Sequence, residues 1–325
     1  MKRIKTLKLF LLGGILLTII LPSTVYAFDI STFTNMPVEG DFVLGPGKIE
    51  LYLSPGESVV RNLKITNRSG RNLNVKMEIE DFTGDNNIST KLLGEEKGVF
   101  SLKDFIKPER ESFSLAHGER ATMPITISIP ETAEPGGLYG ATIVRAVPEK
   151  SKSEEEEEQI NGQIAIVPRL ATLFFIRVRG DVNESGYLKS FSSNKKIYNN
   201  GPIDFSIIYQ NDGSVHLDPY ADIEIKNILG KTVDKLDVYP WFVMPGFSRD
   251  RIISWDKSFG LGRYTANISL NRGYGEISDE AKVSFWIIPI KAIAIGFSII
   301  IFFALFIFWF SNKFELKKKP RKIKS

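Results

Sequence analysis

Between Phe28 and Trp286, apolar side chains recur at every second position, and helical spacing is nearly absent. Leu73, Val75, Met77 and Ile79 alternate with Asn72, Asn74, Lys76, Glu78 and Glu80. Met123, Ile125, Ile127 and Ile129 alternate with Thr122, Thr126 and Ser128. A period of two turns one side chain toward a core and the next toward water, as in a half-buried antiparallel strand. Turn-forming clusters separate these runs: Gly45-Pro46-Gly47, Ser54-Pro55-Gly56, Asn67-Arg68-Ser69-Gly70, Pro135-Gly136-Gly137 and Asn211-Asp212-Gly213. Many short strands at such spacing predict β-sandwiches.

The order of signals occurs twice. In the first half, strands are predicted at Val59–Thr66 and Leu73–Ile79 on either side of the Asn67–Gly70 turn. His117-Gly118-Glu119-Arg120 then leads into Met123–Ile129, and Gly137-Leu138-Tyr139 opens Ala141–Val147. In the second half, Ile203–Gln210 and Ala221–Ile225 flank the Asn211–Gly213 turn. Pro245-Gly246-Phe247-Ser248-Arg249 leads into Ile252–Trp255, and Gly262-Arg263-Tyr264 opens Thr265–Leu270. This repetition predicts an all-β ectodomain of two tandem immunoglobulin-like sandwiches, joined near Gly180–Gly186 after a long apolar strand over Ile164–Val178. Phe113, Phe174, Phe175, Tyr187, Phe205, Trp241 and Trp255 are the expected core fillers.

The two ends of the chain read differently. Lys2, Arg3, Lys5 and Lys8 precede an apolar run over Leu9–Leu21 and a small-residue site ending at Ala27, which predicts a secretory signal over 1–27 cut after Ala27. Ala292–Phe310 carries no charge and no proline and is long enough to span a bilayer. A membrane helix is expected over 289–311, flanked by Lys291 and Lys313. Basic residues crowd the segment that follows, 312–325, so that tail is expected inside and residues 28–288 outside, as a single-pass type I protein. The predicted domains are therefore 28–180, with an acidic hairpin insertion over 148–162, and 181–288.

This division changes the electrostatics. The whole chain carries +4. Without the four Lys/Arg of the leader, and the seven of the tail with Glu315, 31 basic residues face 37 acidic ones, a net −6. The basic excess belongs to targeting segments, and no nucleic-acid partner is expected. The chain has no cysteine, which excludes thiolate metal sites, iron–sulfur clusters and cysteine nucleophiles. With its Lys-, Asn- and Ile-rich composition, a disulfide-free exported sandwich protein points to a bacterial source.

Four segments carry candidate chemistry. Glu154–Glu158 would repel itself into a solvated loop, and it lacks the alternating ligands of a Ca²⁺ site. Glu80-Asp81-Phe82-Thr83-Gly84-Asp85-Asn86-Asn87 could bring Asp81, Asp85 and Asn87 near one cation, or be a polar loop leaving a strand. His117 and His216 fall in different predicted domains, and nucleophile-elbow, zincin and P-loop motifs are all missing. Tyr239-Pro240-Trp241-Phe242-Val243-Met244-Pro245 offers aromatics for a partner or sugar, or a buried strand and turn. Neither an enzyme nor a cofactor is expected, and the binding residues stay unassigned.

The arrangement resembles the WxL-interacting surface proteins of Gram-positive bacteria. The likeness rests on Leu53-Ser54-Pro55-Gly56-Glu57, Ile65-Thr66-Asn67, Glu80-Asp81-Phe82, Ile129-Pro130, Glu134-Pro135-Gly136-Gly137-Leu138-Tyr139-Gly140-Ala141 and Phe174-Phe175-Ile176-Arg177-Val178. The resemblance implies a membrane-anchored adaptor or adhesin that binds cell-wall polymer (peptidoglycan) or an exported or surface protein. A strand-exchange assembly factor, working as periplasmic pilus chaperones do, is the alternative. A glycan hydrolase with a spatial carboxylate pair is a further one.

Overall fold

A computed structural model of the chain describes residues 27–85, 90–148, 168–256 and 260–313. The leader through Tyr26, Asn86 and Asn87, the acidic run Glu154–Glu158 and the tail beyond Lys313 lie outside the described residues. The chain divides into two compact units, Met1–Phe82 with Leu92–Gly180 and Thr83–Lys91 with Asp181–Ser325.

The strands of the first unit are β1 (Asp29–Thr32), β2 (Phe42–Gly45), β3 (Lys48–Leu53), β4 (Ser58–Asn67), β5 (Leu73–Thr83), β6 (Lys91–Leu92), β7 (Ile106–Pro108), β8 (Ser112–Leu115), β9 (Glu119–Ser128), β10 (Gly136–Pro148) and β11 (Arg169–Val178). One sheet has the order β1-β9-β4-β2, with β7 also on β9. The other has the order β3-β11-β10-β5-β6, with β8 also on β5. The inward positions form one core that includes Leu63, Ile65, Val75, Met77, Met123, Ile125, Ile127, Val144, Phe174 and Ile176. Each such side chain, fully buried, contributes roughly 1.5–3 kcal/mol. Phe113 is half-buried and meets the Phe28 ring edge-on at 5.2 Å.

Phe174 and Phe175 face opposite ways, as the period of two demands. Phe174 lies between the sheets. Phe175 is fully buried on the outer face, with Phe82 5.2 Å and Tyr139 5.7 Å away between ring centres; Phe100 joins them at 6.0 Å from Tyr139. The expectation that Phe175 fills the sandwich is corrected: it belongs to a second, aromatic cluster.

The second unit contains β12 (Gly186–Ser193), β13 (Ile197–Tyr198), β14 (Ile203–Asn211), β15 (Tyr220–Asn227), β16 (Thr232–Val238), β17 (Ser248–Trp255), β18 (Gly262–Asn271), β19 (Ser278–Ile287) and the helix α1 (Ile290–Lys313). Its sheets have the orders β12-β14-β17 and β13-β19-β18-β15-β16. Phe205, Tyr209, Trp241, Trp255 and Phe285 fill the core between them. Tyr187, expected inside, is exposed: it stands next to the buried Gly186 and takes the outward position of β12.

Among the described residues, α1 is the one helix long and apolar enough to cross a membrane, and none of its residues is buried. Its 24 residues extend about 36 Å at 1.5 Å per residue, enough for a hydrocarbon layer of about 30 Å. The protein is thus all-β with sandwiched sheets, closed by one apolar helix.

Candidate functional site

The chain crosses from one sheet to the other between β2 and β3. β2 pairs with only the last four residues of β4, Lys64–Asn67, and β3 then runs parallel to β11 over Leu173–Val178. β4 continues against β9 back to Ser58. Among the described residues, no strand lies on the other side of Ser58–Leu63. The crossing leaves half of that strand edge open.

Two hydrogen bonds set which groups face the open side. Ile129 N–H donates to Glu57 O at 2.9 Å, and Arg68 N–H donates to Asp41 O at 3.0 Å. In an antiparallel ladder the direction of bonding alternates along a strand. Odd-numbered residues of β4 therefore bond toward β9 and even-numbered ones toward β2. Beyond the reach of β2, the main-chain groups of Ser58, Val60 and Asn62 point into the opening. Val60 O accepts one bond there, from Arg61 Nη1 at 2.9 Å. The run holds no proline and no bulge, and its one charge is Arg61. Natural edges are commonly blunted by such devices, and an unblunted one is a template for another strand.

β11 has a shorter opening. β3 begins opposite Leu173, so Arg169–Thr172 pair only with β10. Arg169 is held there by Glu80, Nη2 to Oε1 at 2.6 Å.

The cation candidate proves to be a clasp. Asp81 is fully buried. Its Oδ1 accepts the amides of Leu102 (3.0 Å) and Lys103 (2.9 Å), and its Oδ2 accepts that of Gly98 (3.0 Å). Glu80 Oε2 accepts Gly94 N–H at 3.1 Å. The two acids bind segment 94–103 to the end of β5, and Asp81 is turned toward main-chain amides. Asn87, its supposed co-ligand, lies outside the described residues.

The histidines fall in different units. His117 Nδ1 accepts Gly70 N–H at 3.2 Å, and Nε2 lies 3.1 Å from Met36 O, so the ring ties three loops. His216 is buried in the second unit. The aromatic segment is mostly interior. Trp241, Val243 and Met244 are buried, and Val243 and Leu217 exchange main-chain bonds of 2.8 and 3.1 Å. Tyr239 alone of the three rings stands well clear, 74 % exposed. Ala27 is exposed at the first described position. Lys291 is exposed in the first turn of α1, and Lys313 ends it with its Nζ 5.8 Å from the centre of the Trp309 ring.

No known family profile matches this chain, and no curated protein does. Similar solved structures include a chain of a chaperone–tip adhesin complex of CFA/I fimbriae, 14% identical, covering 77% of this chain and 99% of that one, with a TM-score of 0.38. The class 5 fimbriae chaperone CfaA is 13% identical over 77% of this chain and 100% of its own, with the same TM-score of 0.38. A chain of the CsuC–CsuE chaperone–tip adhesin pre-assembly complex of Acinetobacter baumannii is 10% identical over 66% of this chain and 90% of its own, at 0.35. At these scores the likenesses do not by themselves assign a role.

Two expectations are corrected. The solved structures named above are of fimbrial chaperones and their complexes, not of WxL-interacting surface proteins, and the kinship inferred from the sequence is withdrawn. The reading as a peptidoglycan-binding adaptor or adhesin goes with it. The physical reason is visible in the residues that suggested both. Ser54-Pro55-Gly56-Glu57 is a tight turn, with Ser54 N–H on Glu57 Oε2 at 2.8 Å and Gly56 at φ +80°. Asp81 is a clasp, and Asn67 binds main chain through both its side-chain atoms. Such features recur wherever β-strands must turn and mark no single family. Of the two readings of the aromatic segment 239–245, burial is the one Trp241 takes.

Proposed function

We propose that this protein is a membrane-tethered, non-catalytic assembly factor, built on two immunoglobulin-like sandwiches, that holds an extended segment of an exported protein along its first unit. The open half-edge of β4 carries this reading. An incoming strand there bonds to the main-chain groups of Ser58, Val60 and Asn62 and needs no sequence of its own, because main-chain bonding supplies the affinity. Neighbouring side chains then select among clients. The alternation of Val60 with the exposed Arg61, and the polar Ser58 and Asn62, favour a mixed apolar and polar segment over a purely greasy one. The exported partner rests on reading 1–27 as a leader and 312–325 as an inner tail, with the sandwiches outside the membrane. The chaperone–tip adhesin complexes named above have partners of their own; the partner of this chain is argued from its open edge and its targeting segments.

The test is photo-crosslinking in the native envelope from a diazirine amino acid at position 60, read by peptide mass spectrometry. An adduct with one stretch of another exported polypeptide supports the reading. An adduct with a second copy of this chain, or a pattern no different from that of a probe at the exposed Val99, overturns it.

A further inference from the structure

The second unit meets its helix with almost no linker. Only Ile288 and Pro289 separate the end of β19 from α1, and the joint is stapled. Trp286 N–H donates to Lys196 O at 2.9 Å, Ile288 N–H to Tyr198 O at 2.8 Å, and Ile290 N–H to Asn199 Oδ1 at 2.8 Å.

Register shows what else occupies that end of the sandwich. Gly262 is opposite Ile287, so the start of β18 is there. Tyr264 is opposite Asn227, which brings the β15–β16 turn, and Ile203 is opposite Trp255, which brings the loop after β17. These loops and the strand beside them expose Ile197, Ile228, Leu229, Leu261 and Trp286; Leu229 is 87 % exposed and Ile228 69 %. Ile197 and Trp286 are register partners. Around them stand Lys195, Lys196, Lys231, Arg263 and Lys291, against Asp256, Asp204, which accepts Asn194 Nδ2 at 3.2 Å, and Asp234, which accepts Trp255 Nε1 at 2.7 Å. The opposite loops are the reverse: Asp181, Glu184, Asp212, Asp218 and Glu276 against Arg272, which is spent on Asp279 at 2.6 Å.

We infer that this end of the second unit rests on the membrane surface, its Ile228-Leu229 turn and Trp286 seated among the headgroups of an anionic bilayer and its lysines on their phosphates. The occupant is set by continuity with the helix and by charge. An amphipathic ring at a helix threshold and cations beside exposed aliphatic tips are what a headgroup layer accepts. The contact rests on the reading of α1 as a membrane span, since that span fixes the distance of these loops from the lipid. It adds that the second unit is held against the surface rather than swinging free above it.

The absence of cysteine makes the test direct. Single-cysteine forms of the full chain, Leu229→Cys, Tyr239→Cys and Phe302→Cys, are labelled with an environment-sensitive fluorophore. They are reconstituted in phosphatidylcholine vesicles with and without phosphatidylglycerol. The Phe302 label is expected to be quenched by acyl-chain nitroxides in both. The Leu229 label should be quenched by headgroup-level nitroxides and shielded from iodide several-fold more than the Tyr239 label when phosphatidylglycerol is present. That shielding should fall when Lys195, Lys196 and Lys231 are all changed to Glu. A Leu229 label as open to iodide as the Tyr239 label, beside a quenched Phe302 label, overturns the surface contact and leaves the span standing. A Phe302 label untouched by acyl-chain nitroxides overturns the span itself. Equal shielding with and without phosphatidylglycerol overturns the anionic preference.

Discussion

Asn67 and Asn211 make the same four hydrogen bonds at the same point of two different units. Each is the last residue of its strand, β4 or β14, and each is fully buried. Each side-chain Oδ1 accepts the amide two residues on, Ser69 or Gly213, at 2.9 Å. Each Nδ2 donates to the carbonyl four residues on, Arg71 (2.7 Å) or Val215 (2.8 Å). Each Nδ2 also donates to a distant strand or bridge, Leu115 or Val243, at 2.8 Å. Their own carbonyls accept Gly118 (3.0 Å) and Gly246 (2.8 Å), both at φ near +80°.

This equivalence makes a prediction about cooperativity. Asn67→Ala leaves the buried Leu115 carbonyl and the Ser69 amide without this partner and takes one of two donors from Arg71 O, and should cost about 2–3 kcal/mol. Asn211→Ala should cost a similar amount. Urea unfolding followed by hydrogen exchange should find the loss of protection concentrated in the unit that carries the change, residues near β4 in one case and near β14 in the other. A uniform loss over both units in either variant contradicts the assignment.

The Asp81 clasp should be equally expensive. Asp81→Ala removes three charge-assisted bonds from Gly98, Leu102 and Lys103 and is expected to destabilise the first unit by about 3 kcal/mol. Asp81→Asn keeps an oxygen for two of the amides but turns an NH₂ toward the third, and should lie between the two. Added Ca²⁺ should not move the melting temperature of the native protein through this residue, because its oxygens are already engaged. Calorimetry with and without the cation measures this.

Val60→Pro separates folding from binding. The Val60 N–H points to the open side, so proline removes no bond to β9, and its ring stands in the path of an incoming strand. Stability should change by less than about 1.5 kcal/mol, while crosslinking from an adjacent probe at Asn62 should be lost. The comparison is Ile65→Pro, which breaks the β4–β9 ladder and should prevent folding.

A pH dependence follows from Asp279. Burial alone pushes its pKa upward, but the hydrogen bond from Arg272 and the amide of Leu188 outweigh it, and the carboxyl is held below its ordinary range. The Arg272 guanidinium is raised by the same pairing. A group with a depressed folded-state pKa stabilises the fold above its unfolded value, about 3.9, and loses that contribution as pH falls through the folded value. The native protein should therefore exceed Asp279→Asn in stability at pH 6, and the gap should close on acidification below about pH 4. Denaturant titrations at a series of pH values read it directly.

The strands were legible because their residues alternate strictly: Leu73–Ile79 falls inside β5, and Met123–Ile129 overruns the end of β9 at Ser128 by one residue. Long strands exceeded their apolar runs where polar residues continued the ladder, as β5 does through Glu80 and Asp81. Tyr187 was misplaced because ring size suggested burial while strand phase decided otherwise. The site was less legible still. Gly45-Pro46-Gly47 reads as a turn and is the crossing between sheets; which edge it uncovers depends on strand pairing between residues far apart in sequence, such as Val59 with Ile127, and the clasp likewise joins Asp81 to Leu102 across an intervening loop. Local pattern carries no information about such distances. The repeated Asn-x-[Ser/Gly] turn was visible, but the donors and acceptors that make it a buried joint were not.

The stapled joint between β19 and α1 also has a mechanical consequence. Any pull along β19 is resisted at Ile287, which is paired on one side with the antiparallel Gly262 and on the other with the parallel Tyr198. Tension drawn along β19 loads those bonds together, in shear, instead of opening them one at a time. With no slack between strand and helix, the second unit behaves as a stiff post. Load applied to the unit is passed to α1 with little lost to the joint.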